Sequence, residues 1–245
     1  MSRVQTETLS LGKKAFHRKE TQKVSFDEPF LCKEKVRENP GRPTMLVLVF
    51  AEASLEFFKG RVLDANEDWK ILARCDHKEK RGRPDICHDL LKLSLDSELN
   101  KRHLLRVYVH TYDDRVITAS SEWRVPRSFK RFAGLMEDLE KKREISAEGK
   151  VLLKIEEKNL KQLLAELEGE KIVLEASGER KKLKDFVGML GGNAIVIIGG
   201  FPHGAFLDKS NALEGLQRVA LSETELTAPA ILAKVLTCAE LANGF

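Results

Sequence analysis

The chain has 245 residues, 42% of them hydrophobic and 33% charged, which allows one sizeable domain with an appendage or two small ones. No apolar run approaches the roughly twenty residues of a membrane span, and the first residues lack the apolar core of a secretory signal. The formal charge of +4 resides in residues 1–43, with ten Lys and Arg against six Asp and Glu; the rest carries 32 of each sign. Only local clusters can therefore argue for a polyanionic partner.

Residues 1–43 show no sustained periodicity and end in NPGRP, a linker composition. They read as an extension to a domain spanning 44–245. Met45 opens a first strand, MLVLVF, and the following AEASLEFFKG has the pattern of a short amphipathic helix. A second apolar run, WKILARC, leads into the charged turn DHKEKRGRP. Pro84 then suits the first turn of a helix. Ile86, Cys87, Leu90, Leu91 and Leu93 form its apolar stripe, with Asp85, Asp89, Lys92 and Asp96 opposite.

LLRVYVH and RVITAS flank TYDD as a hairpin, and SEWRVP is extended before its proline. A helix is expected over 127–142 with Phe129, Phe132, Met136 and Leu139 on its buried side. From Lys150 strands alternate with helices. VLLKIEE precedes NLKQLLAELEG, KIVLEAS precedes GERKKLKDFVGML, and AIVIIGG is followed by a looped segment to LQRVALSE. That alternation indicates an α/β fold with a mainly parallel sheet. The last helix, near 227–242, is apolar nearly all round, which suits a subunit interface or deep packing.

Within this frame 193–204, NAIVIIGGFPHG, is the pocket-like stretch. An unbroken β-branched run reads as a central strand buried on both faces. It stops at Gly199 and Gly200, and ligands of open α/β sheets sit beyond the carboxyl ends of such strands. The chain lacks G-x-x-x-x-G-K-[ST], G-x-G-x-x-G and a serine in a nucleophile elbow. A triphosphatase, a dinucleotide enzyme and a serine hydrolase are thus unsupported.

Two basic clusters stand out. In RVPRSFKRF, Arg124, Arg127, Lys130 and Arg131 occur without an acid among them, interleaved with Phe129 and Phe132. Cations at helical spacing over an aromatic base suit phosphate contacts. In KEKRGRPDICH, Arg83 takes the expected N-cap, where Ser, Thr, Asp or Asn is the stabilising choice. Asp85 beside Arg81 and Arg83 is held too acidic for a general base and is better suited to orienting an arginine. Cys75, His77, Cys87, His88 and His110 match no structural zinc spacing, and Cys32, Cys75, Cys87 and Cys238 form no CxxC pair. No metal is expected, and the cysteines suit a reduced, intracellular chain.

MLVLVFAEASLE, RGRPDICHDLLKLSLDSELNK, YVHTYDD, RVPRSFKRFAGLME, IVIIGGFPHG and RVALSETELTA occur together and in that order. In these stretches the chain resembles the small-subunit rRNA pseudouridine N1-methyltransferases, the ribosome-biogenesis branch of the SPOUT (α/β-knot) superfamily, in an archaeal form. The resemblance runs from about residue 45 to the C-terminus. It implies a SPOUT-type sheet with a C-terminal trefoil knot, helices on both faces and an RNA-binding insertion near 77–146. It further implies S-adenosylmethionine as cofactor, small-subunit rRNA as partner and a homodimer, which the last helix independently suits. The location would be cytoplasmic, or nucleolar in a eukaryote.

By motif, Gly199 and Gly204 would line the cofactor loop. Val219, Ala220, Leu221, Ser222, Glu223 and Thr224 would hold adenosine and methionine parts mainly through backbone. Ala176 and Ser177, in a loop after KIVLEA, would add another edge. Arg83, Arg124, Arg127 and Arg131 would contact RNA, with Asp85 stabilising Arg83. The acceptor of the N1 proton stays open between water and an aspartate such as Asp113. An assembly factor without methylation, or a related enzyme for another RNA position, would carry similar motifs.

Overall fold

The computed structural model describes residues 43–245; apart from Pro43, the N-terminal extension lies outside the described residues. The first strand, β1 (Leu46–Ala53), is buried along its whole length. It does not give way to a helix at AEASLEFFKG. Instead β2 (Phe57–Phe58) and β3 (Arg61–Val62) form a small hairpin. Lys59 and Gly60, at φ 51° and 76°, provide the two left-handed positions of a tight hairpin turn, so the local turn chemistry overrides the apparent helical pattern.

The one-turn helix α1 (Trp69–Leu72) then precedes α2 (Pro84–Asp96) and α3 (Glu98–Lys101). On α2 the buried set is Pro84, Cys87, His88, Leu90, Leu91, Ser94 and Leu95. Leu93, expected in the stripe, is 41% exposed, because the stripe is centred on Leu91 and two positions along a helix rotate a side chain to the far side. Strands β4 (Leu105–Thr111) and β5 (Arg115–Ala119) make the expected antiparallel hairpin.

Helix α4 (Phe129–Lys142) starts after Ser128, so Arg127 precedes it. Phe132, Met136 and Leu139 are buried, Phe129 only partly. The hairpin β6 (Glu144–Ala147) and β7 (Lys150–Glu157) follows. VLLKIEE, which is β7, is therefore antiparallel to both neighbours, not the first strand of a parallel repeat. After α5 (Leu160–Glu166) come β8 (Glu170–Arg180), α6 (Leu183–Met189), β9 (Ala194–Gly199), β10 (Gln217–Ala220) and α7 (Ala228–Ala242). Because β8 extends through GER, α6 begins later than expected.

The sheet order is β10-β8-β9-β1-β4-β5-β7-β6, and the first five strands in that order are parallel. Alternation along β1 divides the core. Leu46, Leu48 and Phe50 join Leu91 of α2, Met136 of α4, Phe186 of α6 and Leu232 of α7. Val47, Val49 and Ala51 join Leu160, Leu163 and Leu164 of α5, with Leu213. Helices thus cover both faces, and β9 lies between β8 and β1 as a central buried strand. On α7, Leu232, Val235, Leu236 and Ala239 are buried, whereas Ala233, Thr237 and Leu241 remain exposed, Leu241 at 61%. Among the described residues nothing covers this side of the helix at Ala233, Thr237 and Leu241.

Candidate cofactor rim and basic interface

The parallel strands deliver their carboxyl ends to one rim. Leu174 of β8 stands opposite Ile198 of β9, and Gly199 opposite Ala51 of β1. Between β8 and β10 the register breaks at the same level: Arg218 pairs with Val173, but Val219 pairs with Glu179. Residues 174–178 therefore bulge out of the ladder. Ala176 and Ser177 lie in this bulge, within a strand rather than in a loop following one. Backbones crowd together here. A Cβ on Gly178 would meet the Val219 nitrogen at 2.5 Å, and one on Gly200 would meet the Ala53 Cβ at 2.7 Å.

β10 is an edge strand, so backbone groups on its outer side have no ladder partner. Val219, Ala220 and Leu221 there are buried and apolar, while Ser222, Glu223 and Thr224 continue outward into the exposed surface. Lys234 donates to the Leu221 carbonyl at 2.9 Å, holding this stretch in place. Gly204 adopts φ 88° and its Cβ direction faces the Lys80 side chain at 3.5 Å. The structure thus brings Gly199, the 174–178 bulge and 219–221 together at strand ends, with Gly204 on the adjoining loop.

The basic clusters also meet. The His88 Nε2 and the Pro126 carbonyl are 2.6 Å apart, and the His88 ring stacks on Phe132 at 4.5 Å. With a carbonyl as acceptor the ring nitrogen must donate, so α2 is pinned to the segment carrying Arg124 and Arg127. Arg83, the N-cap of α2 with no capping hydrogen bond, donates to both Asp85 oxygens, at 2.9 and 2.7 Å. That bond holds the Asp85 carboxyl below its ordinary pKa. Arg124, Arg127, Lys130 and Arg131 are exposed, and none has an ion-pair partner among the described residues. Arg127 does not share a helix face with Lys130 and Arg131, because it lies in a bend that precedes the Ser128 N-cap.

Beneath the rim lies a buried polar group not singled out by the motifs. Glu52 accepts from the backbone N–H of Leu207 at 2.8 Å and of Asp208 at 2.6 Å. Its own N–H donates to His110 Nδ1 at 3.2 Å, and His110 Nε2 faces Asp114 at 3.1 Å. Glu56 pairs with Arg81 at 2.6 Å, and Arg81 stacks over Tyr112. The available signal was a charge placed directly after a buried run, at Glu52 and Glu56. Asp113 is engaged by Arg115 and Thr111, which leaves it poorly placed as a free base. Cys87 is fully buried, with its thiol pushed up to about 12 by burial. Among the described residues no three His, Cys, Asp or Glu side chains converge as a metal site requires.

His110 carries a pH prediction. Burial holds its pKa below the ordinary 6.5, outweighing the opposing effect of Asp114, and protonation at Nδ1 would break the Glu52 N–H bond. The unfolded chain therefore binds the proton more readily. The neutral ring's contribution is fully present above about pH 6.5 and is lost as pH falls towards the folded value. The melting temperature is expected to drop between pH 6.5 and 5, and to drop less in His110→Gln, as differential scanning fluorimetry would read.

The sequence matches the EMG1/NEP1 methyltransferase family over residues 48–240. The chain belongs to this family. It is 35% identical over 217 residues to the ribosomal RNA small subunit methyltransferase Nep1 of Thermococcus kodakarensis, covering 87% of this chain and 94% of that one. The Nep1 of Thermoplasma acidophilum is 36% identical, with coverage of 75% and 91%. The crystal structure of Archaeoglobus fulgidus Nep1 bound to S-adenosylhomocysteine aligns with a TM-score of 0.71 and 28% identity. That alignment covers 83% of this chain and all of the other. The EMG1/NEP1 match accounts for the resemblance carried by the RGRPD and RVPRSFKRF motifs, and the family's large, mostly parallel α/β sheet is the one described above.

Proposed function

We propose that the protein is an S-adenosylmethionine-dependent methyltransferase that acts on N1 of a pseudouridine in small-subunit rRNA during ribosome biogenesis in the cytoplasm. The observation that carries this reading is a glycine-lined strand rim in the same fold as a basic surface on which Arg124, Arg127 and Arg131 have no ion-pair partner among the described residues. The residues suited to hold the cofactor are Gly199, Gly204, Ala176 and Ser177, with the backbone of 219–224. When bound there, the cofactor supplies an electrophilic methyl group.

The chain's own part is to bind and align. Arg83, kept in one orientation by Asp85, together with Arg124, Arg127 and Arg131, would grip phosphates on either side of the target nucleotide. Recognition of this type selects single-stranded loops, whose bases can be turned outward. Holding the ring nitrogen in line with the methyl donor converts an encounter into an intramolecular geometry. The exposed apolar side of α7, with Ala233 and Leu241, fits pairing with a second copy, and the rim at β8, β9 and β10 fits a knotted SPOUT cofactor site.

The test uses labelled S-adenosylmethionine and two matched rRNA hairpins, one bearing uridine and one pseudouridine at the same position. Label is expected on the pseudouridine hairpin alone. Equal labelling would remove the pseudouridine specificity, and absence of cofactor binding in calorimetry would remove the enzyme reading.

A further inference from the structure

Among the described residues Lys80 is the one buried lysine; the others lie at the surface or partly exposed. Its ammonium donates to the Ala205 carbonyl, stands 3.9 Å from the Glu52 carboxylate and lies 3.2 Å from the centre of the Phe201 ring. Burial pushes its pKa down while Glu52 pulls the other way. Removing a lysine from water is costly unless charge and hydrogen-bond partners replace the solvent, and here they do.

The partners of Lys80 and Glu52 belong to one loop. The cation holds the carbonyl of Ala205 and the ring of Phe201, while the anion holds the N–H groups of Leu207 and Asp208. Gly204, a rim residue, lies within this grip. Glu52 itself sits at φ 52°, a left-handed conformation rare for a non-glycine residue and retained where surroundings enforce it.

The other side of the grip leads to the arginines. The Lys80 carbonyl accepts from Ser54 Oγ at the end of β1. The next residue, Arg81, is tied down by Glu56 and Tyr112. Gly82 is locked in turn, its carbonyl accepting from the Ala65 N–H at 2.8 Å. Three residues beyond Lys80 stands Arg83. A rigid connection therefore runs from the 201–208 loop through Lys80 to the N-cap of α2.

We propose that Glu52 and Lys80 are positioning residues that couple the cofactor rim to the RNA-binding arginines, so that filling either site tightens the other. The identities of the two ligands rest on the methyltransferase reading above. Ordering of the 201–208 loop by a ligand fixes the Ala205 carbonyl, hence Lys80, hence the segment ending at Arg83. Part of the ordering cost is then already met when the second ligand arrives. Linkage makes the effect reciprocal.

The experiment measures affinity for a small-subunit rRNA hairpin with and without saturating S-adenosylhomocysteine. The unmutated protein is expected to bind RNA about fivefold or more tightly with the cofactor product present. In Lys80→Met, which keeps the apolar stem, and in Glu52→Gln, the ratio is expected to fall to about one. Arg127→Ala is expected to weaken RNA binding under both conditions and keep the ratio, a distinction that a general loss of stability would not produce. A ratio of one in the unmutated protein, or an unchanged ratio in both variants, overturns the coupling while leaving the methyltransferase reading intact. Failure of the unmutated protein to bind either ligand overturns both. Should the variants not fold, hydrogen exchange of the unmutated protein decides: S-adenosylhomocysteine must protect amides at 81–83 as well as at 201–208, and protection confined to the latter overturns the proposal.

Discussion

Gly178→Ala is expected to abolish detectable S-adenosylhomocysteine binding at concentrations that saturate the unmutated protein, and to lower stability by about 1–3 kcal/mol. The added methyl would lie 2.5 Å from the Val219 nitrogen and 2.6 Å from the Arg218 carbonyl carbon. These are backbone atoms of β10, with no side-chain torsion to relieve the clash. Relief requires β10 to move away from β8 at the point where Val219 and Ala220 enter the proposed cofactor rim. Gly188→Ala provides the contrast. Gly188 lies in α6 with nothing within 4 Å of an added Cβ, and replacing glycine by alanine in a helix raises stability by about 1 kcal/mol. Calorimetric titration and thermal melting of the two variants separate a local steric effect from a general intolerance of substitution. Normal ligand binding by Gly178→Ala would exclude the β8–β10 junction from the site.

Joint replacement of Arg83 and Arg127 by alanine is expected to weaken binding of the rRNA hairpin by at least about tenfold for each arginine–phosphate hydrogen bond removed, since a hydrogen bond to a charged group contributes about 1.5–3 kcal/mol. The logarithmic salt dependence should flatten by about 0.7 per phosphate released from single-stranded RNA. Cofactor binding should persist, because neither side chain belongs to the strand rim. Asp85→Asn isolates the orienting role: it removes the charge that fixes the Arg83 fork but leaves the arginine present. RNA affinity should fall less than in Arg83→Ala. The Asp85 pKa is depressed by its Arg83 bond, so the pair is intact above the ordinary carboxylate range and is lost only as pH falls through the lowered folded value. RNA affinity should accordingly show no step from Asp85 between about pH 6 and 8. Unchanged RNA affinity in the double variant would remove both arginines from the interface.

The secondary structure was legible where one pattern dominated. β9 could be read from AIVIIG because a doubly buried strand needs an unbroken apolar run, and α2 could be read from Pro84 and its spaced apolar residues. AEASLEFFKG misled because Leu55, Phe57 and Phe58 can satisfy a helical pattern until the left-handed Lys59 and Gly60 turn is taken into account. VLLKIEE misled because strand direction depends on its partners, and β7 is paired antiparallel with β5 and β6. Arg127 stands at helical spacing from Lys130 and Arg131, but the helix starts only after the Ser128 N-cap.

By itself, the sequence determined the ingredients of this protein: a strand ending in glycines, an arginine at an N-cap with an aspartate two residues on, and a run of cations without acids. These follow from local chemistry, since the apolar run before Gly199 and the charge density in RVPRSFKRF depend on neighbouring residues alone. Tertiary structure decided what the ingredients face. Only parallel pairing aligns Gly199 with residues 174–178 and 219–220 on one rim, and only the packing of His88 on Phe132 and Pro126 brings the two basic clusters together. The burial of Lys80 between Glu52, Phe201 and Ala205 was likewise invisible in a charged stretch such as KEKRGR. A lysine's partners are set by three-dimensional desolvation and hydrogen bonding across more than a hundred residues of chain, a distance over which sequence periodicity carries no information.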